Sequence, residues 1–219
     1  MILECGPDYD KNTVSISVDE NVSVALTMSG GADTALLAYL VSLELLETNR
    51  RPEEYIKWIF TFPKRDGAEI YPDDIINWIN KKLGIKLPSK TIVKLPNLHS
   101  TYHGKQVWQS VLYALTKYSP DRLYMGDQQV APDSANISEI RPHRSSTLEG
   151  PLPGRVLFPF NHLYKYHNID IFFKLGIEEL LALTHSCTQK PAGRCNKCYH
   201  CLERKCSFDV LGLTDPGHI

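Results

Sequence analysis

The sequence predicts an α/β fold: an open, doubly wound and mostly parallel sheet with helices on both faces. Three observations lead there. Short apolar runs alternate with longer helical patterns, as βαβ units require. A glycine turn, Ser29-Gly30-Gly31, closes the first buried run and opens a helix. The cysteines gather at one end of the chain, so they do not staple it throughout.

Taken in order, residues 22–28 (Val-Ser-Val-Ala-Leu-Thr-Met) read as a buried strand. The helix over 34–47 is apolar nearly all round through Leu36, Leu37, Leu40, Val41, Leu43, Leu45 and Leu46, which puts it at the centre. Residues 55–62 form a second strand. The helix over 69–83 carries Ile75, Ile76, Ile79 and Leu83 on one face and stops at Gly84. A strand over 91–95, a helix over 106–118 and a short strand over 122–125, closed by Gly126-Asp127, complete the pattern. Between 128 and 159 the periodicity fails, and five prolines and two glycines interrupt it. So long a stretch, following a strand's carboxyl end, reads as an active-site loop. Residues 169–183 are helical with a break near Gly176 and lead into the cysteines.

Composition excludes several function classes. The chain has 219 residues, 42% hydrophobic and 22% charged, as expected of a globular protein with a real core. Lys+Arg is 24 against Asp+Glu 25, a net charge of -1, so no overall field holds it on nucleic acid or an anionic membrane. There is no apolar run of membrane-spanning length, and the first residues lack the basic and apolar blocks of a signal peptide. The expectation is a cytoplasmic protein with no membrane association and no obligatory nucleic acid.

Ser29-Gly30-Gly31-Ala32-Asp33-Thr34 joins a buried strand to a buried helix. Two glycines permit a tight turn and let backbone N–H groups approach an anion, to which the helix adds its unpaired amides and positive dipole end. Ser29 and Thr34 supply hydroxyls. Asp33 would repel a bare phosphate, which suggests Mg²⁺ shared with it. The loop is neither a Walker A nor a Gly-x-Gly-x-x-Gly motif. The plainer alternative is a chain turn whose Asp33 or Thr34 caps the helix.

Of six cysteines, five lie in the last 33 residues, and Cys187-x7-Cys195-x2-Cys198-x2-Cys201 offers four thiolates at short spacing. That suits one structural Zn²⁺ per chain in a closed tetrahedral site. Lys190, Arg194, Lys197, Arg204 and Lys205 would offset the charge of the thiolates. An iron–sulfur cluster is the alternative, since Cys-x2-Cys-x2-Cys also begins the bacterial ferredoxin run; here that run does not continue with three residues, Cys and Pro.

The glycine turn resembles the Ser-Gly-Gly-x-Asp-Ser signature of the PP-loop ATP pyrophosphatases, with Thr34 keeping the final hydroxyl. Beside the cysteines, the chain resembles the 7-cyano-7-deazaguanine synthases of the queuosine pathway. Residues 60–70 look like that family's Phe-Asp-Tyr-Gly-Gln-Arg-His-x-Ala-Glu-Ile, with Phe62 for Tyr and Lys64 for Gln. Lys165 falls where the family has Thr-Lys before a helix. Thr184-His185-Ser186-Cys187 resembles Thr-Trp-Ser-Cys, and Cys198-x2-Cys201-x2-Arg204 completes the knuckle. The family's Asp-Tyr-Ser-Gly-Tyr-Pro-Asp-Cys-Arg-Pro is matched only by Asp133, Ser134, Arg141 and Pro142.

The resemblance implies a HUP-like fold of the adenine nucleotide alpha-hydrolase type. A PP-loop domain would cover 1–160, with its active-site loop at 127–159, and a helical zinc-binding region 161–219. It implies an ATP-binding set of Met28, Ser29, Gly30, Gly31, Ala32, Asp33, Thr34, Phe62 and Gly126. Ser29, Asp33, Arg65, Asp133, Arg141 and Lys165 would be catalytic or acceptor-binding, and Cys187, Cys195, Cys198 and Cys201 would hold the metal. The implied cofactors are ATP, Mg²⁺ and Zn²⁺. The implied reaction is adenylation of a deazapurine carboxylate with pyrophosphate release, then amide and nitrile formation with ammonia. Partners would be a small-molecule acceptor, ammonia and, as in many relatives, a second copy as a homodimer. Two alternatives stand: a PP-loop ligase or nucleobase- or tRNA-modifying enzyme with another acceptor, and a nucleotide-binding module without turnover. His99 and His103 are read as solvated loop histidines, His143, His162 and His167 as able to reach the sheet edge but with no partner the sequence names, Cys5 as no nucleophile, and Trp58, Trp78 and Trp108 as packing.

Overall fold

The computed structural model describes residues 1–62, 70–95, 103–129 and 154–217, with backbone alone at 103–106. The chain opens with an antiparallel hairpin, β1 (Ile2–Cys5) and β2 (Asn12–Ser15), which the sequence reading missed. Its strands are four residues each and half exposed, too short to show a period of two.

The main sheet follows. β3 (Val24–Thr27), α1 (Ala32–Glu47), the short α2 (Pro52–Tyr55), β4 (Ile56–Thr61), α3 (Tyr71–Leu83), β5 (Lys90–Ile92), α4 (His103–Tyr118), β6 (Arg122–Tyr124) and β7 (Val156–Leu157) succeed one another. Their strands lie in the order β5-β4-β3-β6-β7, each pair parallel. The expected α/β class is observed. One correction falls within 128–159: Val156–Leu157 is not loop but the fifth strand, two residues long and so without a readable pattern. Residues 130–153, including the expected Asp133 and Arg141, lie outside the described residues, as do Arg65, His99 and His143.

All four residues of β3 are buried, as a central parallel strand covered on both faces demands. α1 packs over it with eleven buried residues, confirming its central place. The larger core lies on that side, where Leu36, Leu37 and Leu40 meet Ile75 and Ile79 of α3. α4 covers the opposite face through Val111, Ala114 and Leu115 against Ala25, Phe60 and Leu123. α3 ends on Gly84 at φ 67, the left-handed conformation glycine adopts freely.

After the sheet come α5 (Lys165–Lys174), α6 (Glu178–Ala182) and α7 (Tyr199–Leu211). The expected break at Gly176 is present, at φ 61. However, α5 starts four residues before the expected 169, and α7 within the cysteine region was not foreseen. Both helices carry buried polar side chains near their starts, which disguise their periodicity: Lys165, His167 and Asn168 in the first turn of α5, and Glu203 and Arg204 in the second turn of α7.

Candidate active site and four-cysteine cluster

β3 has β4 on one side and β6 on the other, so the chain order reverses direction at its carboxyl end. Open α/β sheets bind ligands in such a crevice. The turn 29–31 occupies it. Met28 is fixed below by its N–H to Phe60 O at 2.8 Å and its carbonyl accepting from Thr61 Oγ1 at 3.0 Å. Gly30 has φ 82, where only glycine is unstrained, and Gly31 caps α1 in extended conformation. Ala32 is buried at the helix start. The hydroxyls of Ser29 and Thr34 lie 3.2 Å apart, and Ser29 Oγ accepts from Gly31 N at 3.3 Å. A further bond, His185 N to Gly30 O at 2.8 Å, ties the turn to the Thr184-His185-Ser186 segment.

Gly126 lies against the same turn. A Cβ there would come within 2.9–3.0 Å of the Asp33 carbonyl group and 3.0 Å of Thr34 N. The carboxyl end of β6 therefore approaches α1 more closely than any side chain permits. Phe62 stands just beyond the end of β4, packed against the α4-side core.

Asp33 is the centre of a buried polar ring. Lys165 Nζ donates to Asp33 Oδ2 and lies 3.8 Å from Glu203 Oε2. Asn168 Nδ2 donates to Asp33 Oδ1 at 3.1 Å and to Gln128 Oε1 at 2.9 Å. Gln128 Nε2 donates to Glu203 Oε1 at 3.2 Å, and Tyr199 OH donates to the same oxygen at 2.9 Å. Lys165 is 6% exposed, Glu203 3% and Asn168 0%. Asn168 Oδ1 is the one buried side-chain polar atom without a partner among the described residues. Thus the structure joins the predicted Asp33 and Lys165, and adds Gln128, Asn168, Tyr199 and Glu203. A signal existed for Asn168, three residues after Lys165 and so on the same helix face.

The four predicted cysteines converge as well. The Sγ atoms of Cys187, Cys195, Cys198 and Cys201 lie within 4.8 Å of one another, and Cys206 is not among them. A tetrahedral site with Zn–S bonds of about 2.3 Å has sulfurs about 3.8 Å apart, whereas a four-iron cubane puts each thiolate on a separate iron and spreads them further. Burial works against the Cys195 thiolate, but N–H bonds from Lys197 at 3.4 Å and Cys198 at 3.2 Å, together with the Cys198 and Cys187 thiols, outweigh it and bring its pKa down to about 6. Burial, with Cys198 beside it, pushes Cys201 up to about 12. Three of the five cations expected to balance the thiolates are engaged elsewhere. Arg204 grips Asp215 at 2.8 and 2.9 Å and Thr184 Oγ1 at 2.6 Å; Arg194 also binds Asp215, and Lys205 pairs with Asp209. Asp215 thereby ties the segment after α7 to Arg204 on that helix and to Arg194, next to Cys195.

Of the residues set aside, His103 opens α4 rather than lying in a loop, and three others take structural places. Cys5 is buried, which drives its thiol up to about 12, and His162 and His167 bond the carbonyls of Thr13 and Asp10. No helix among the described residues is long and apolar enough to cross a membrane.

No family's sequence profile matches the chain, and no curated protein matches it. Solved structures do. NMN synthetase from Francisella tularensis matches with a TM-score of 0.50 at 12% identity, over 88% of this chain and 78% of that one. The fold is shared with PP-loop proteins. An NH3-dependent NAD synthetase from Campylobacter jejuni gives 0.44 at 16% identity, over 74% of this chain and 67% of that one. The U34-tRNA thiolase NcsA from Methanococcus maripaludis, solved with its 4Fe-4S cluster, gives 0.43 at 17% identity, over 88% and 66%. The chain thus spans about two thirds of the length of these last two. All three belong to the PP-loop ATP pyrophosphatase superfamily.

Proposed function

We propose that the chain is an ATP-dependent ligase resembling 7-cyano-7-deazaguanine synthase, which adenylates a deazapurine-type carboxylate and releases pyrophosphate. The observation that carries this reading is the turn 29–34 in the crevice beyond β3, with Lys165 drawn onto Asp33 behind it. The amides of the turn and of the first turn of α1 offer the triphosphate hydrogen bonds, since a helix start leaves its N–H groups without intrahelical partners. Ser29 adds a hydroxyl. These fixed donors meet the charge that develops on the departing pyrophosphate and need no reorganisation.

The acceptor carboxylate attacks the α-phosphate, and the α–β bridging oxygen leaves with pyrophosphate. Ammonia then displaces AMP from the acyl-adenylate to give the amide; a second ATP adenylates the amide oxygen with release of pyrophosphate, and that oxygen leaves with AMP as the nitrogen loses its two protons, giving the nitrile. Mg²⁺ bound with ATP supplies charge neutralisation on the phosphates. Hard oxygen donors suit it, and the carboxylate of Asp33 with the orphaned Asn168 Oδ1 are the groups that would hold it. The four thiolates suit one structural Zn²⁺, their sulfur spacing supporting a single ion over a cubane.

A second reading keeps the ATP chemistry and changes the acceptor, to another nucleobase or a tRNA. The departures between 128 and 142 favour it, because that segment follows the strand next to the turn. Measuring AMP formation across a panel of acids separates the two. Release that requires a 7-carboxy-7-deazaguanine-like acid supports the first reading; release with a different acceptor, and none with that acid, supports the second.

A further inference from the structure

Glu203 is a carboxylate where burial is costly. It lies on the cysteine-bearing helix α7, two residues after Cys201, and is 3% exposed. An acid so placed persists only when its environment supplies donors and counter-charge. Here the partners are those that also hold Asp33. From Asp33 one route runs through the Lys165 ammonium to Glu203 Oε2 at 3.8 Å. The other runs through Asn168 and Gln128, by bonds of 3.1, 2.9 and 3.2 Å, to Glu203 Oε1. Two carboxylates thus share one ammonium and one pair of amides, and the routes close into a ring. Tyr199, near the start of α7, donates to the same Oε1 at 2.9 Å and fixes the acid's orientation.

From this ring we propose that Glu203 is a positioning residue for ATP binding: through Lys165 and Gln128 it sets the placement of the Asp33 carboxylate, and so links the cysteine-bearing helix to the phosphate turn. The inference rests on the reading that Asp33 and Lys165 serve ATP. Its physical content lies in the shared ammonium. With Glu203 in place, Lys165 has a second counter-charge and is not committed to Asp33 alone. Without it, Lys165 and Asp33 collapse into a simple pair, and the Asp33 oxygens are no longer available where the phosphates and their cation arrive. Gln128 carries the second constraint from a segment that holds no cysteine. It can therefore be altered without disturbing the cluster.

The experiment measures AMP and pyrophosphate formation from ATP in the presence of Mg²⁺, together with metal content and melting temperature, for wild type, Glu203→Gln, Gln128→Met and each combined with Asp33→Asn. Glu203→Gln keeps an acceptor for Tyr199 while removing the charge that faces Lys165. Both single variants should keep wild-type metal content and melting temperature while KM for ATP rises, with kcat/KM falling about tenfold to a hundredfold, as small misplacements of binding groups do. In the Asp33→Asn background neither change should cost anything further, since its target is already gone. A purely structural role would lower the active fraction and leave KM unmoved. Wild-type KM in both variants overturns the proposal while the ATP reading stands, and so do losses that simply add to that of Asp33→Asn. Should Glu203→Gln shed metal, Gln128→Met decides by the same criteria. A wild-type protein that forms no AMP from ATP overturns the proposed function and this inference together.

Discussion

At the scale of single residues, the turn beyond β3 is over-determined by neighbours that leave no room for substitution. Gly126 has backbone, not a flexible side chain, in the space a Cβ would need, with the Asp33 carbonyl carbon at 2.9 Å. Gly126→Ala must therefore shift α1 or the end of β6, at a cost of about 1–3 kcal/mol. Denaturant unfolding should show that loss, together with weaker ATP binding; unchanged values of both would mean the close approach is not needed. Ser29 and Asp33 differ in kind: Ser29 Oγ bonds Thr34 and Gly31 within the turn, and the Asp33 carboxylate is held by Lys165 and Asn168 of the ring. Ser29→Ala and Asp33→Ala should lower kcat roughly 10²- to 10³-fold, with melting temperatures changed far less. Wild-type rates in both would return the turn to a structural role.

At the scale of elements, α5 carries the greatest tension, because its first turn buries Lys165, His167 and Asn168 side by side. His167 accepts from Tyr164 N at 3.0 Å through Nδ1 and donates from Nε2 to Asp10 O at 3.0 Å, so the neutral ring has both nitrogens used. Burial holds its pKa below the ordinary 6.5, against the raising influence of Asp10. Above about 6.5 neither state is protonated there and the contribution is constant. As pH falls below that value the unfolded chain takes up a proton that the folded chain refuses, and stability declines by at most about 1.4 kcal/mol per pH unit until the folded pKa is reached. Unfolding free energies at pH 7.5 and 5.5 should therefore diverge more in wild type than in His167→Gln. Equal slopes would show that this histidine does not govern acid sensitivity. The capture of both its nitrogens also explains why the histidines offered no legible partner in the sequence: Asp10 lies more than 150 positions away and contributes a backbone carbonyl, which no side-chain pattern reveals.

At the scale of the whole molecule, two elements distant in sequence, the turn at 29–34 and the helix α7, meet through α5. The central strand and helix were legible because burial on all sides makes their residues uniformly apolar, and the cysteines because metal coordination imposes spacing. The hairpin β1–β2 and β7 were not legible, being shorter than the window in which periodicity exists. Nor was the ring around Asp33, whose members come from four separate segments and look like ordinary surface polar residues one at a time. The cluster gives the molecule a second independent test. One Zn²⁺ per chain should be found by elemental analysis, and Cys198→Ser should lose it together with thermal stability, whereas Cys206→Ser should lose neither; iron with a brown chromophore would reject zinc. The central claim is that the turn beyond β3 grips the β- and γ-phosphates as one leaving group. Chromatography of the nucleotides formed from ATP by the purified protein, with Mg²⁺, ammonia and carboxylic-acid acceptors, tests it most directly. AMP and pyrophosphate in equal amounts are the predicted products, and ADP as the sole nucleotide product would contradict the account.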